Sequence, residues 1–272
     1  MALVLVQDKS NRKTMKRILV TGAGGQLGKT LKDYIIDFKE SIFDFKTSRE
    51  LDITIPEEIE QTLKTGNYNY CINCAAYTNV EQAERIPVDA FKVNAEAVKS
   101  LAMACKKQNV TLVHISTDYV FDGNKDQAYT IEDVTNPINE YGKSKLEGEQ
   151  NIRKILPNHF IIRTSWLYSK KFGHNFYRTI LAKAEQGLEL RITDQQIGCP
   201  TDTETLAKFI LEEIIMGEKF FGTYHVTDGK AMTWYDFAKN ILHENGLTGK
   251  VSLVLDRNYR TFAKRPKNSV LI

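Results

Sequence analysis

The 272-residue chain lacks a surplus of either charge sign: 37 Lys and Arg face 34 Asp and Glu, a formal net charge of +3. Without a broad basic field, no nucleic-acid or anionic-membrane partner is expected. No apolar run approaches the roughly 20 residues needed to span a bilayer. The apolar start, Ala2 to Val6, is shorter than the roughly 7–15 residues of a signal-peptide core. Pro/Ser-rich linkers, repeats and low-complexity tracts are also missing, which predicts lobes sharing an extensive interface with a cleft between them. Cysteines number only four: Cys71, Cys74, Cys105 and Cys199. The first two form a C-x-x-C, but no second such pair and no Cys/His pair completes a zinc site. They lie in a strand-like stretch, YNYCINCAAY, where an odd separation puts the thiols on opposite faces. They read as packing residues, and a reducing, cytoplasmic compartment fits them. No His, Asp or Glu cluster has metal-ligand spacing, so no metal ligand is assigned.

What is present is a rhythm. From Lys16 short apolar runs alternate with amphipathic segments: KRILVTG as strand, residues 25–38 as helix, SIFDF as strand, IPEEIEQTLK as helix, YNYCINCAA as strand. Residues 87–108 then read as helix, VTLVHIST as strand, NEYGKSKLEGEQNIRKIL as helix and HFIIRT as strand. Near-continuous apolar strands in βα order predict an α/β fold, a Rossmann-type doubly wound parallel sheet covered on both faces. Beyond Trp166 the rhythm loosens into helices near 174–186, 203–216 and 233–245 and strands LELRIT and GTYHVT. These predict a smaller α/β lobe at the sheet's carboxyl edge. The expected division is an extension outside the fold at 1–14, a dinucleotide-binding domain at 15–165, and a mainly substrate-binding lobe at 166–272 with segments returning to the first domain. Met15, just before KRILVTG, reads as an alternative start.

The segment ILVTGAGGQLGKTL sets Gly22, Gly25 and Gly28, with Gly24 additional, between the first strand and helix. Glycines allow a tight turn and close backbone approach, and a helix amino terminus then faces a pyrophosphate. The strand before and helix after supply the context that a glycine pattern alone lacks. Candidate cofactor contacts are Gly22, Gly24, Gly25, Gln26, Leu27 and Gly28. Asp44 lies near the distance expected of a ribose-binding acid, but FKTSRELDIT follows it. Arg49, helped by Lys46 and Ser48, would meet a 2′-phosphate, which favours NADPH while leaving NADH open. Asp52, with Ile53, would either meet the adenine or cap the following helix.

VTLVHIST ends in Ser116 and Thr117, followed by Asp118, at the edge where open α/β sheets bind ligands. Tyr141 and Lys145 stand four apart in YGKSK, on one helix face. A nearby ammonium favours phenolate, bringing the tyrosine toward proton exchange at neutral pH. A strand-end hydroxyl would hydrogen-bond the substrate oxygen. His114, inside an apolar strand, reads as a core histidine; His225 and Trp234 read as packing residues, and His174 lies near a helix start.

The motifs TGAGGQLG, CINCAAYTNVEQAE, VHISTDYVFDG, YGKSKLEGE, RTSWLY, IGCPT and AKRPKNSVL, in this order, resemble the dTDP-4-dehydrorhamnose reductases of the extended short-chain dehydrogenase/reductase family. The resemblance runs from about Lys16 to the end. It implies reduction of the 4-keto group of dTDP-4-dehydro-β-L-rhamnose to dTDP-β-L-rhamnose with NADPH or NADH, and a dTDP-sugar as partner. It implies that Tyr141 donates the proton, Lys145 binds the nicotinamide ribose and lowers the tyrosine pKa, and Thr117 orients the carbonyl oxygen. Asp118 and Tyr119 would sit beside the sugar, Trp166 would wall its pocket, and Ala75, Ala76 and Tyr77 would line the cofactor cleft. A homodimer and Mg²⁺ bridging it come from the resemblance alone. Three departures stand out: Glu81 where aspartate is common, the amino-terminal extension, and an end at Ile272 where relatives continue into a last helix. Another nucleotide-sugar epimerase or reductase, or a non-catalytic NAD(P)-binding regulatory subunit, is the alternative. A dehydratase would want an Asp-Glu pair where this chain has Asp118-Tyr119.

Overall fold

The structure, a computed structural model, describes residues 15–38 and 41–272; the extension expected at 1–14 lies outside them. β1 (Lys16–Thr21) leads to α1 (Gln26–Tyr34), and β2 (Ser41–Lys46) to α2 (Pro56–Gly66). β3 (Tyr70–Asn73) is followed by α3 (Val80–Arg85), α4 (Pro87–Phe91) and α5 (Ala97–Gln108). β4 (Thr111–Thr117), α6 (Glu140–Ile155) and β5 (His159–Thr164) come next. Then follow β6 (Leu167–Tyr168), α7 (Phe176–Glu185), β7 (Leu190–Ile192), β8 (Ile197–Gly198), β9 (Thr201–Asp202) and α8 (Thr203–Lys208). The chain closes with β10 (Gly222–His225), β11 (Met232–Thr233), α9 (Trp234–Glu244) and β12 (Leu253–Leu255).

Six strands form one sheet in the order β10-β5-β4-β3-β1-β2, every pair parallel. β1 has β2 on one side and β3 on the other, so the winding reverses there, and a ligand crevice opens beyond the carboxyl ends of such strands. Side-chain alternation buries both faces. Leu19, Cys71, Leu112 and Ile161 face α2 and α5 through Ile59, Leu63, Leu101 and Cys105. Ile18, Val20, Ile72, Val113 and Ile162 face α1 and α8 through Leu27, Leu31 and Leu206. Cys71 belongs to the first layer and Cys74 packs against the second, as their odd spacing requires, and all four thiols are free.

Two expected helices are interrupted. The 87–108 helix contains a π-turn at Lys92–Glu96, and the 203–216 helix passes into one at Phe209–Ile215. The second is fully apolar on its inner side: Leu206, Ile210, Leu211 and Ile215 are buried against α1 and the sheet. The segment carrying it and β10 therefore belongs to the main sheet, not to the smaller lobe. That lobe packs α7 and α9 through Tyr177, Ile180, Phe237 and Ile241, with β7 paired to β12 and β8 to β11. LELRIT yields only the three residues of β7. The last residues return along the chain, with bridges from Leu271 to Tyr129 and from Asn268 to Ile197. Among the described residues no helix is long and apolar enough to cross a membrane.

Candidate active site

A cleft of about 550 Å³ opens beyond the carboxyl ends of β1, β3 and β4, at the point where the winding reverses. Its floor is the glycine turn. Gly22 has φ +65°, and a Cβ there would lie 2.5 Å from the Ala75 nitrogen, so only glycine fits. A Cβ on Gly28 would lie 2.6 Å from the Ala23 Cα, so this glycine seats α1 against the turn. Gly25 caps α1 with no side-chain acceptor for the first amides, which leaves N–H donors directed at whatever anion enters. A Cβ on Gly24 would meet only the Thr47 methyl, at 3.9 Å; the surface above it is open. Gly25, Gln26, Leu27 and Gly28 line the cleft with Ala75 and Ala76; Gly22, Gly24 and Tyr77 are outside its lining. Gln26 reaches across to the smaller lobe, donating to the Leu167 carbonyl at 3.0 Å and accepting from Asn175 at 3.1 Å.

The Ala75–Tyr77 loop is held by a residue that sequence reading missed. Asn94, in the π-turn, accepts from the Tyr77 N–H at 2.9 Å, donates to the Tyr77 carbonyl at 3.0 Å and to Ser144 at 3.0 Å. Turns of this kind gather at functional sites because they re-aim one side chain out of helical register. Here the amide copies a strand's hydrogen-bonding edge and ties the loop to α6.

Asn139 caps α6, accepting from Gly142 N–H at 2.7 Å. A Cβ on Gly142 would fall 2.2 Å from the Tyr119 carbonyl, so α6 sits tightly on the 118–120 turn. This sets Tyr141 beside Thr117 in the lining of the cleft. Burial pushes the Tyr141 pKa well above its usual 10, with Thr117 opposing and the Asp118 charge adding. Lys145 is 1% exposed; its Nζ donates to the Ile115 carbonyl at 2.6 Å and lies 3.3 Å from His114 Nε2. Burial brings its pKa down to about 8. Lys145 points along β4, and Tyr141 is a firmly protonated phenol.

Thr117 lines the cleft, as do Tyr119 and Trp166. Asp118 does not. It is 2% exposed, and its oxygens accept from Thr117 at 3.0 Å and Ser165 at 2.9 Å, with Ser269 a third donor. The expectation that places it beside the sugar is corrected: a carboxylate satisfied by three hydroxyls inside the protein orients Thr117 from behind. Burial raises its pKa to about 6, against those three bonds.

The smaller lobe supplies the far wall. Trp166 has φ +46° and stacks on Trp234 at 3.5 Å with 5° between planes. A Cβ on Gly198 would lie 2.5 Å from the Trp166 ring, so glycine makes room for the stack. Trp234, expected only to pack its helix, lines the cleft, as does His174. A second cleft of about 590 Å³ continues past Trp234, bordered by Lys183, Arg191 and Arg265. Arg265 donates to Glu81 at 2.6 Å and to the Tyr119 hydroxyl at 3.3 Å. Glu81 also accepts from the Phe262 and Ala263 amides, which pins the chain's last stretch over α3. His225, as expected, is structural, its Nδ1 shared between the Tyr129 and Ile272 carbonyls at 3.1 Å each.

The loop after β2 frames the cofactor choice. Asp44 accepts from Tyr68 at 2.5 Å and pairs with Lys46 at 3.3 Å, so both sequence candidates are committed to one another. Glu50 accepts from the Thr47 N–H at 2.8 Å, closing a turn that carries Arg49, exposed, at its tip. Asp52 accepts from the Thr54 N–H at 2.9 Å in the turn ahead of α2, whose N-cap is Ile55 with no side-chain cap, and Ile53 is buried in the α2 layer; neither Asp52 nor Ile53 lines the cleft. Among the described residues no group of three or more His, Cys, Asp or Glu side chains could hold a metal ion.

A family profile described as the RmlD substrate binding domain matches residues 15–272. A dTDP-4-dehydrorhamnose reductase of Aggregatibacter actinomycetemcomitans is 39% identical over 271 residues, covering 94% of this chain and 90% of that protein. One of Sinorhizobium fredii is 35% identical, covering 94% and 88%. A crystal structure of dTDP-4-dehydrorhamnose reductase from Bacillus anthracis in complex with NADP superimposes with a TM-score of 0.90 at 35% identity, covering 95% of this chain and 90% of that one.

Proposed function

From the premise that the chain belongs to the RmlD substrate binding domain family, we propose that it reduces the 4-keto group of dTDP-4-dehydro-β-L-rhamnose to dTDP-β-L-rhamnose with NAD(P)H. The observation that carries this is a half-buried phenol, Tyr141, lining the cleft beside Thr117 at a strand end, with buried Lys145 one turn on, above a floor made by a glycine turn. The turn fits a dinucleotide: a backbone that admits no Cβ at Gly22 beside the start of α1, whose first amides have no side-chain cap.

NAD(P)H, when bound, supplies the hydride. The protein's part is positioning and the proton. Tyr141 holds its proton at neutral pH and gives it to the C4 oxygen as negative charge develops there. Thr117, whose one hydroxyl hydrogen is held by Asp118, would turn it from that carboxylate to the same oxygen. Lys145 holds the ribose of the nicotinamide half. The second cleft takes the nucleotide diphosphate, where Lys183, Arg191 and Arg265 supply local positive charge that the near-neutral net charge conceals. Residues 15–165, with the returning strand β10, make the cofactor domain, and 166–272 mainly shape the substrate lobe.

The test is NAD(P)H oxidation by the wild-type protein with dTDP-4-dehydro-β-L-rhamnose generated in a coupled reaction. Tight cofactor binding with no turnover of this sugar would defeat the reductase reading in favour of a binding subunit. NADPH is preferred over NADH because Arg49 stands uncommitted at the tip of its loop. Arg49→Ala should weaken NADPH by about 1–3 kcal/mol, the worth of a charge-assisted contact, and leave NADH nearly unchanged. Equal loss for both, measured by titration, would reject that role.

A further inference from the structure

Lys145 meets a side chain that neither the motif nor the reaction calls for. His114 sits inside β4, fully buried, with its Nε2 3.3 Å from the lysine nitrogen. On the ring's other side Nδ1 lies 3.1 Å from Asn73 Nδ2. The orientation of the Asn73 amide is set independently. Its oxygen accepts from the Thr21 hydroxyl at 2.7 Å and from the Ala75 backbone N–H at 3.2 Å. A flipped amide would turn its NH₂ toward the Ala75 N–H, donor against donor. Asn73 therefore donates to His114, and Nδ1 is an acceptor. A neutral imidazole with Nδ1 free carries its hydrogen on Nε2, so an N–H points at Lys145. The strand register makes the row possible, because Thr21 pairs with Asn73 and Asn73 with His114 across β1, β3 and β4.

An ammonium has three donors and no acceptor, whereas an uncharged amine has one lone pair. The amine can donate to the Ile115 carbonyl and accept from His114; the ammonium meets the Nε2–H donor to donor. We propose that His114 is a positioning residue for Lys145: locked by Asn73 as the Nε2–H tautomer, it favours the uncharged amine until cofactor draws the lysine away as ammonium. The proposal rests on the reading that Lys145 meets the cofactor ribose.

The surroundings oppose this in one respect only. Glu149, on α6 itself, favours the ammonium, but Arg163 of β5 and Arg153 take up its charge at 2.8 and 2.7 Å. β3 contributes Asn73, and just after it the half-buried Cys74 thiol is held protonated by desolvation; β4 contributes His114, which burial holds neutral. Tyr141, from the same helix, is protonated. Burial acts on the lysine in the same direction as His114, toward a pKa of about 8.

The test is the NADPH dissociation constant between about pH 7 and 10, a range that brackets the ordinary and depressed lysine values. In wild type it should climb above about pH 8 with a slope of up to about tenfold per unit, and Lys145→Met should abolish the climb. In His114→Leu or His114→Met, whichever folds, the climb should begin about one pH unit higher, the worth of one hydrogen bond. His114→Gln, which restores an amide N–H near the place of Nε2, should return it toward wild type. A climb that persists in Lys145→Met, stays in place in the donorless variants, or is not restored by glutamine overturns the proposal. A wild type that binds NADPH at no pH overturns the cofactor reading instead. Independently of both, ¹⁵N shifts of the histidine rings in wild type locate the proton, and a hydrogen on His114 Nδ1 overturns the tautomer and the proposal with it.

Discussion

Tyr141→Phe is expected to lower kcat by about 10²–10⁴-fold, the usual worth of a positioned general acid, while the NADPH dissociation constant barely moves. The phenol stands in the cleft lining beside Thr117, and phenylalanine fills the same space. With burial holding the tyrosine above 10, the acid stays loaded across neutral pH, so the loss should be equally deep at pH 6 and pH 8. Steady-state kinetics with saturating cofactor and sugar measures it. A defect confined to KM would make Tyr141 a binding group and would remove it as the proton donor.

The second large effect concerns stability and lies one turn beyond Lys145. Glu149 has no exposure, and accepts from Arg163 Nε at 3.0 Å and Nη2 at 2.8 Å, from Arg153 at 2.7 Å and from Ser116 at 2.5 Å. Glu149→Gln strands the Arg163 guanidinium, itself 2% exposed, without its counter-charge. Breaking one side of such a pair costs about 3–5 kcal/mol, a fall in Tm of about 10 °C for a chain of this size. The pH dependence has a definite sign. Burial alone would raise the Glu149 pKa, but Arg163, Arg153 and Ser116 pull it below its ordinary 4.5. A depressed carboxylate contributes stability above its unfolded pKa and loses it as pH falls through the folded one. The gap between variant and wild type should therefore be full at pH 7 and close progressively in acid below 4.5. Thermal melts across that range check both, and equal Tm values at pH 7 would show that the pair contributes nothing net.

The parts of the fold legible in the sequence are those whose cause is local. TGAGGQLG could be read as a turn because Gly22 needs a conformation that a Cβ forbids, and YGKSK because helical spacing alone puts Tyr141 and Lys145 on one face. Alternating burial made Cys71 and Cys74 readable as packing residues on opposite faces. The unread parts depend on contacts made over long distances in the chain. Arg265 meets Glu81 across 184 positions, and Asn94 acts only because a π-turn rotates it out of register. Trp234 resembled any helix-packing aromatic until Trp166 came to lie on it. Asp118, adjacent to Thr117 in sequence, was misplaced for a related reason: whether a strand-end carboxylate faces cleft or core depends on Ser165 and Ser269, which sequence adjacency does not reveal.

The stacked indoles have an optical consequence. The chain holds two tryptophans, and both stand at the same wall of the cleft. Its ultraviolet emission is therefore a signal from one spot, with no background from indoles elsewhere. A reduced nicotinamide seated across the cleft absorbs where indole emits and would quench that light by energy transfer, so arrival and departure of the cofactor can be timed without a label.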